Sequence, residues 1–501
     1  MLFNSLTFCL GFLPPVLIGF FLIGALKPGR WPRLWLIAAS AIFYGWWSWK
    51  YLILLLVLTA FNFVSAVSIS RFRSKESKAS AKNLLIIAIA INLLALGYFK
   101  YANFFLANFA LASGIMFTSL HIILPLGISF FTFQKIAYLV DAYTGKVDEF
   151  KFENFNLFVL FFPQLISGPI VHHSEFIPQI RNQSFGKFGT NELALGLATF
   201  IIGMFKKIII ADSCGVISDQ IFGATANNGL PTFFEGWTAA LAYTFQIYFD
   251  FSGYTDMAIG LALMFGIRLP ENFASPYRST SIVEFWRRWH MTLSRFLREY
   301  VYIPLGGNRK GAARRHLNLM VAMLLGGLWH GASWTFVIWG GLHGGFLIIN
   351  HLWSNAIAPR FSRITGSQPY RFLAWLLTFL CVVISWVLFR SQTFEDSFRM
   401  LAGMAGRNGF ALPSALIHAL GLAPARFSGT AITALFGNGA ELELSTAWST
   451  LIFAFLVAIF GTQRQKLSYR QLWLIVFLVS GFVIQALAVG NRTQQFIYFQ
   501  F

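Results

Sequence analysis

Stretches of about 20 apolar residues alternate with short polar connectors from Leu6 to Leu487. A helix crossing the ~30 Å hydrocarbon core of a bilayer needs about that many. The pattern predicts spanning helices at roughly 6–26, 32–48, 51–70, 83–100, 121–140, 189–211, 237–265, 317–339, 370–389, 446–461 and 471–490. Three apolar pieces do not fit a simple span. FFPQLISGPIV (161–171) carries Pro163, Gly168 and Pro169, and proline removes a backbone donor and clashes with the preceding turn. A half-helix or re-entrant hairpin is expected at 154–171. YFDFSGYTD (248–256) and LPENFASPY (269–277) read as similar interruptions. Broken backbone at membrane depth is tolerated where it is buried in protein or lines a wet cavity.

A different period governs EFWRRWHMTLSRFLREY, residues 284–300. At helical spacing Phe285, Trp289, Leu293, Phe296 and Tyr300 form one stripe, widened by Trp286 and Leu297. Glu284, Arg287, Arg288, Arg295 and Arg298 take the opposite side, with Met291 as an exception. This predicts an amphipathic helix lying in the membrane interface. His290 falls at the margin of its apolar stripe.

Composition sharpens the class. Of 501 residues, 56% are hydrophobic and 11% charged, against about 25% charged in ordinary soluble domains. The chain reads as one membrane domain, 1–501, with a Gly-, Ala- and Pro-rich stretch at 405–445 as the candidate peripheral insertion. The first apolar run has no charged segment before it and no small-residue cleavage site after it, so a retained helix is expected. Cys9, Cys214 and Cys381 are far apart and show no metal-ligand or disulfide spacing.

The net charge of +19 is explained by topology, without nucleic acid as a partner. Lys27, Arg30 and Arg33 form one basic cluster; Arg71, Arg73, Lys75, Lys78 and Lys82 form another. Two predicted spans separate them, so both fall on one face, which is cytoplasmic by the positive-inside rule. Met1 is then extracytoplasmic, and the basic stretch Arg287 to Arg315 shares the cytoplasmic face.

His330 is the leading candidate for chemistry. It stands in LLGGLWHGASW, about 20 Å along a helix starting near Leu317. Ionisable groups at such depth are expensive and mark functional sites by default. Glycine pairs four apart (Gly327 and Gly331, Gly340 and Gly344, Gly341 and Gly345) allow close helix packing around it. A buried neutral imidazole suits general-base work, although a histidine bonded to a nearby carbonyl beside Trp329 is an equally open reading. His343 has the same context with less support. His172 and His173 read as interfacial. Asp250 and Asp256 read as structural, each paired with an arginine or capping a half-helix. Neither GxSxG, a P-loop, HExxH nor a Cys-rich metal site occurs.

Together, FFPQLISGPIV, YFDFSGYTDMAIGLALMFGIRLPENFASPYRS, FWRRWHMTLSRFLREYVYIPLGGNR and GGLWHGASWTFVIWGGLHG strongly resemble the membrane-bound O-acyltransferase family. The likeness is to its bacterial branch, which acetylates alginate and D-alanylates teichoic acid, and closest to the alginate side. It covers about residues 120–350, the expected catalytic core. It implies an all-α polytopic membrane fold: a ring of about 11 transmembrane helices, with re-entrant and interfacial helices around a central tunnel. It implies His330 and His290 as catalytic residues. It also implies an acyl thioester such as acetyl-CoA as cytoplasmic donor substrate, with no tightly bound cofactor and no metal. The expected acceptor is an exported polysaccharide, reached through a periplasmic or extracellular acetyltransferase partner, and the expected setting is the bacterial inner membrane. D-alanyl transfer is the rival within the family. A transporter or flippase is the rival outside it, since transporters also use broken helices and buried Asp and His.

Overall fold

The computed structural model describes residues 1–410, 444–461, 468–489 and 496–497, and among them every regular element is helical. Among the described residues, seven helical segments are long and apolar enough to cross a membrane: Thr7–Leu26, Trp49–Ser74, Lys78–Ser113, Thr190–Ala226, Trp334–Phe361, Gln368–Arg390 and Tyr469–Leu487. The chain is a multi-pass membrane protein. Most of the 405–445 stretch, residues 411–443, lies outside the described residues.

The contacts divide the chain into two units, with one boundary inside a helix at Ser252 and Gly253. The first unit holds residues 1–204, 253–271 and 469–490. Its principal helices are α1 (Leu13–Leu26), α2 (Arg30–Gly45), α3 (Trp49–Ser74), α4 (Lys78–Leu96), α5 (Ala102–Ser113), α6 (Ile128–Thr144), α7 (Phe152–Leu160), α8 (His173–Arg181) and α9 (Thr190–Met204). Two buried asparagines clip α3 to α4: each amide donates to the other, Asn62 to Asn92 at 3.1 Å and Asn92 to Asn62 at 2.8 Å. Such pairs bind helices where apolar contact alone gives little preference over lipid. The expected break at 154–171 is present. α7 stops before Phe161, a single turn follows at Phe162–Leu165, and every residue from 154 to 173 is buried. His172 and His173 are therefore interior rather than interfacial. His173 Nδ1 lies 3.3 Å from Asp141, and the His172 backbone N–H donates to Glu175 at the start of α8.

The second unit holds residues 205–252, 272–468 and 491–501. Its helices are α10 (Asp212–Ala226), the first part of α11 (Phe233–Met264), α12 (Ile282–Arg288), α13 (Met291–Leu297), α14 (Gly311–His330), α15 (Trp334–Leu352), α16 (Gln368–Arg390), α17 (Phe394–Met404) and α18 (Leu444–Phe460). α19 (Tyr469–Val489) returns to the first unit.

Three expectations are corrected here. YFDFSGYTD does not interrupt its helix, because α11 runs unbroken over 32 residues. Asp250 needs no break to be satisfied. Lys207, on the turn before α10, reaches it at 2.5 Å and Asp212 at 2.7 Å, and the Ile497 N–H donates to it at 2.7 Å. The predicted amphipathic helix 284–300 is two short helices, parted at Trp289 and His290. The predicted span 317–339 ends at His330 instead: Gly331 is extended, and Ser333 caps a new helix by accepting from the Thr335 N–H.

α14 and α15 pack closely along one glycine face. A Cβ on Gly327 would meet the Phe336 carbonyl, and one on Gly340 the Met323 carbonyl. Gly345 faces open space, so only part of the predicted glycine pattern serves this contact.

The Lys207, Asp212 and Asp250 group is almost wholly buried. Removing one partner of a buried ion network strands the other charges, at a cost of about 3–5 kcal/mol. Lys207→Met is expected to lower the thermal unfolding temperature strongly in detergent. Adding Asp250→Asn is expected to recover part of the loss.

Candidate active site

Two breaks in the second unit bring the two candidate histidines together. The first lies between α12 and α13. Ser281 caps α12 by accepting from the Glu284 N–H. Glu284 then accepts from the Thr280 N–H at 2.8 Å and pairs with Arg288 at 2.7 Å. The helix stops at Trp289, and His290 takes a left-handed conformation with φ +42°. A side chain there costs about 1 kcal/mol or more, so the surroundings must hold it in place. Residues 272–274 do so: the Ala274 N–H donates to the Arg288 carbonyl at 2.9 Å, and the Met291 N–H to the Asn272 carbonyl at 3.0 Å.

The Asn272 side chain completes the clamp. Its Oδ1 lies 3.1 Å from His290 Nδ1, and it accepts from the Thr292 N–H at 3.2 Å and the Thr292 hydroxyl at 3.0 Å. Asn272 and His290 are both fully buried. His290 therefore lies inside the unit, away from the stripe margin assigned to it by helical spacing. Outside the spanning helices as it is, its imidazole is pushed by burial down to about 3, so it stays neutral at physiological pH.

The second break ends α14 at His330, which is 3% exposed. Its ring centroid lies 6.4 Å from that of His290. Trp329 at 5.0 Å, Trp339 at 5.2 Å and Phe389 at 5.2 Å surround it. Phe251 packs edge-on against His290 at 4.7 Å. Two buried imidazoles thus share aromatic surroundings in one unit.

His343 is next door and differs in kind. Trp286 Nε1 donates to its Nδ1 at 3.2 Å, so Nε2 carries the proton and donates to Ser385 Oγ at 2.9 Å. Ser385 passes its own proton to the Val382 carbonyl at 2.8 Å. Both ring nitrogens are committed, as in a core histidine. The sequence reading missed Asn272, Lys207, Trp286 and Ser385. Two of them left a trace: Trp286 in the apolar stripe and Asn272 as a polar residue in the predicted break LPENFASPY.

A model of the membrane-bound O-acyltransferase family matches residues 44–390. The chain belongs to this family. It is 44% identical over 438 residues to a peptidoglycan O-acetyltransferase of Helicobacter pylori, covering 82% of this chain and 81% of that one. It is 42% identical over 409 residues to a probable alginate O-acetylase AlgI of Pseudomonas aeruginosa, covering 81% and 75%. A teichoic acid D-alanyltransferase of Streptococcus thermophilus is 28% identical over 284 residues, 53% of this chain and 68% of that one. The membrane-bound O-acyltransferase is thus an enzyme of acyl transfer, and both of its clustered histidines fall within the matched region.

Ser385→Ala would strand the His343 Nε2 proton in the core. An unmet buried donor costs about 1–3 kcal/mol. The variant is expected to melt lower in detergent yet transfer acyl groups at the wild-type rate per folded molecule.

Proposed function

We propose that the enzyme moves an acetyl group from a cytoplasmic thioester to hydroxyls of an exported polysaccharide, with His330 as general base. The observation that carries this reading is the pair of buried histidine rings 6.4 Å apart at two helix breaks. The acyl carbon of a thioester is already activated, whereas the acceptor hydroxyl is a poor nucleophile. His330 takes the hydroxyl proton as the new oxygen–carbon bond forms. The carbon–sulfur bond then breaks, and the thiolate leaves with the proton from the imidazolium. General-base assistance of this kind contributes about 10²–10⁴-fold, and holding donor and acceptor in place supplies much of the rest. His290, neutral and buried, orients the donor or relays the proton.

The names of the relatives support the choice of group and acceptor, since the two with the broader matches are a peptidoglycan O-acetyltransferase and a probable alginate O-acetylase. D-alanylation has the weaker support of a 28% identical relative matched over 53% of this chain. Acetyl-CoA, or another acyl thioester, is consumed as a substrate. In this reading the donor is on the cytoplasmic side of an inner membrane and Met1 on the opposite side, an orientation supported by the basic clusters 27–33 and 71–82. A periplasmic acetyltransferase partner then carries the group to the polymer.

Membrane vesicles holding the full chain, its periplasmic partner and its polymer are to be given labelled acetyl-CoA. Wild type is expected to label the polysaccharide, and His330→Ala to lower the rate at least about 100-fold at equal protein abundance. Labelling at the wild-type rate by His330→Ala would remove the general-base assignment.

A further inference from the structure

Asn272 makes more of His290 than a well-packed ring. Its Oδ1 faces three donors or possible donors, and one of them has no choice of role. The Thr292 backbone N–H can only donate, at 3.2 Å, so it fixes which end of the Asn272 amide points this way. With the amide turned over, Nδ2 would face that N–H, donor against donor. Since the oxygen is the atom facing His290 Nδ1 at 3.1 Å, the imidazole proton must sit on Nδ1. Nε2 then carries the lone pair, and it is buried with no hydrogen-bond partner among the described residues. A neutral histidine holds one proton on two nitrogens, and the bond made by one nitrogen decides the state of the other.

We propose that Asn272 is a positioning residue that sets the His290 tautomer, keeping Nε2 as a bare acceptor on a ring whose centroid lies 6.4 Å from that of His330. The inference rests on the acyl-transfer reading for its purpose, but the tautomer itself is a property of the resting enzyme. In the proton relay that reading gives His290 as one of its two roles, an O–H or N–H bond breaks as Nε2–H forms, and the transient imidazolium then gives that proton from Nε2 to the leaving thiolate. The opposite tautomer carries its proton on Nε2 and its lone pair on Nδ1, which faces Asn272 Oδ1, so Nε2 has no lone pair with which to accept. The same residue also holds the left-handed turn through its main-chain carbonyl, which accepts from the Met291 N–H. The side-chain role is therefore separable, because a substitution that spares the backbone leaves that bond available.

The test reads the tautomer directly. Full-length protein in detergent is labelled with ¹⁵N-histidine, and the His290 signals are identified by their loss in His290→Gln. Wild type is expected to show a protonated Nδ1 and an unprotonated Nε2. Asn272→Leu, which has no acceptor, is expected to shift the proton toward Nε2 and lower kcat by about tenfold or more, with the donor KM little changed. Asn272→Asp keeps an oxygen for the same donors and is expected to restore the tautomer and most of the kcat lost in Asn272→Leu. A wild-type His290 protonated on Nε2 overturns the inference even if Asn272→Leu fails to fold, and it leaves the acyl-transfer reading standing. Wild-type kcat in a folded Asn272→Leu also overturns it. A His290→Gln enzyme with the wild-type rate removes the role of His290 in transfer, and the role of Asn272 with it.

Discussion

A helix that stops inside a membrane protein frees peptide groups that lipid cannot satisfy, and every such group needs a partner from the protein. The candidate site is a consequence of that constraint. α12 stops at Trp289 and α14 at His330, and a side chain answers each interruption: Asn272 for the first, Ser333 for the helix that follows the second. A continuous helix would space side chains at a fixed 3.6 residues per turn and keep its backbone sealed. Breaking it lets His290 adopt a backbone conformation that no helix offers, and lets His330 stand at a terminus. The cost of the breaks is met by hydrogen bonds made close to each histidine in space, from Asn272, 18 residues away in sequence, at the first and from Ser333 at the second.

The three histidines of the second unit show how one side chain can serve two ends. His343 has a donor on one ring nitrogen and an acceptor on the other, so its proton is fixed and its lone pair is used. Among the described residues, His290 has a hydrogen-bond partner on Nδ1 and none on Nε2. The same aromatic wall serves several of these rings, since Trp339 packs on His330 at 5.2 Å and on His343 at 4.7 Å. Burial by itself does not separate them: all three are buried. What separates His290 from His343 is whether a nitrogen has been left uncommitted, and for His343 that is decided by Ser385 and Trp286, far away in sequence.

Much of the fold was legible because its causes are local. Runs of about 20 apolar residues announce spans, and Pro163 and Pro169 announced the buried break that follows α7. Ser333, a cap residue just before an apolar run, carried the signal for the start of α15. A hydropathy pattern alone reads through it, because Gly331 and Ala332 do not lower the apolar average enough. The unbroken course of α11 was hidden for the opposite reason. Asp250 and Gly253 look like breakers until Lys207 is placed beside the carboxylate, and nothing in the spacing of Lys207 and Asp250 foretells that meeting. Of the site, the two histidines stood out as costly residues in apolar text. Their mutual approach did not, since it depends on how α12, α13 and α14 fold back on one another.

The break at His290 also explains why the helical wheel placed that residue wrongly. The stripe of Phe285, Trp289, Phe296 and Tyr300 is apolar at helical spacing, and such periodicity is the main evidence a sequence offers for a helix. Yet the stretch holds two helices of seven residues each, each too short to be stable alone. Their order comes from tertiary contacts: Trp289 stacks on Phe285 at 5.6 Å and packs against Trp386 at 5.0 Å. Large aromatic rings bury much area with few rotatable bonds, so a handful of them can hold short helices that propensity would not. The aromatic stripe that looked like a membrane-facing anchor is thus turned inward. In that position it supplies the dry, rigid surroundings in which a neutral imidazole persists and a proton has few other places to go.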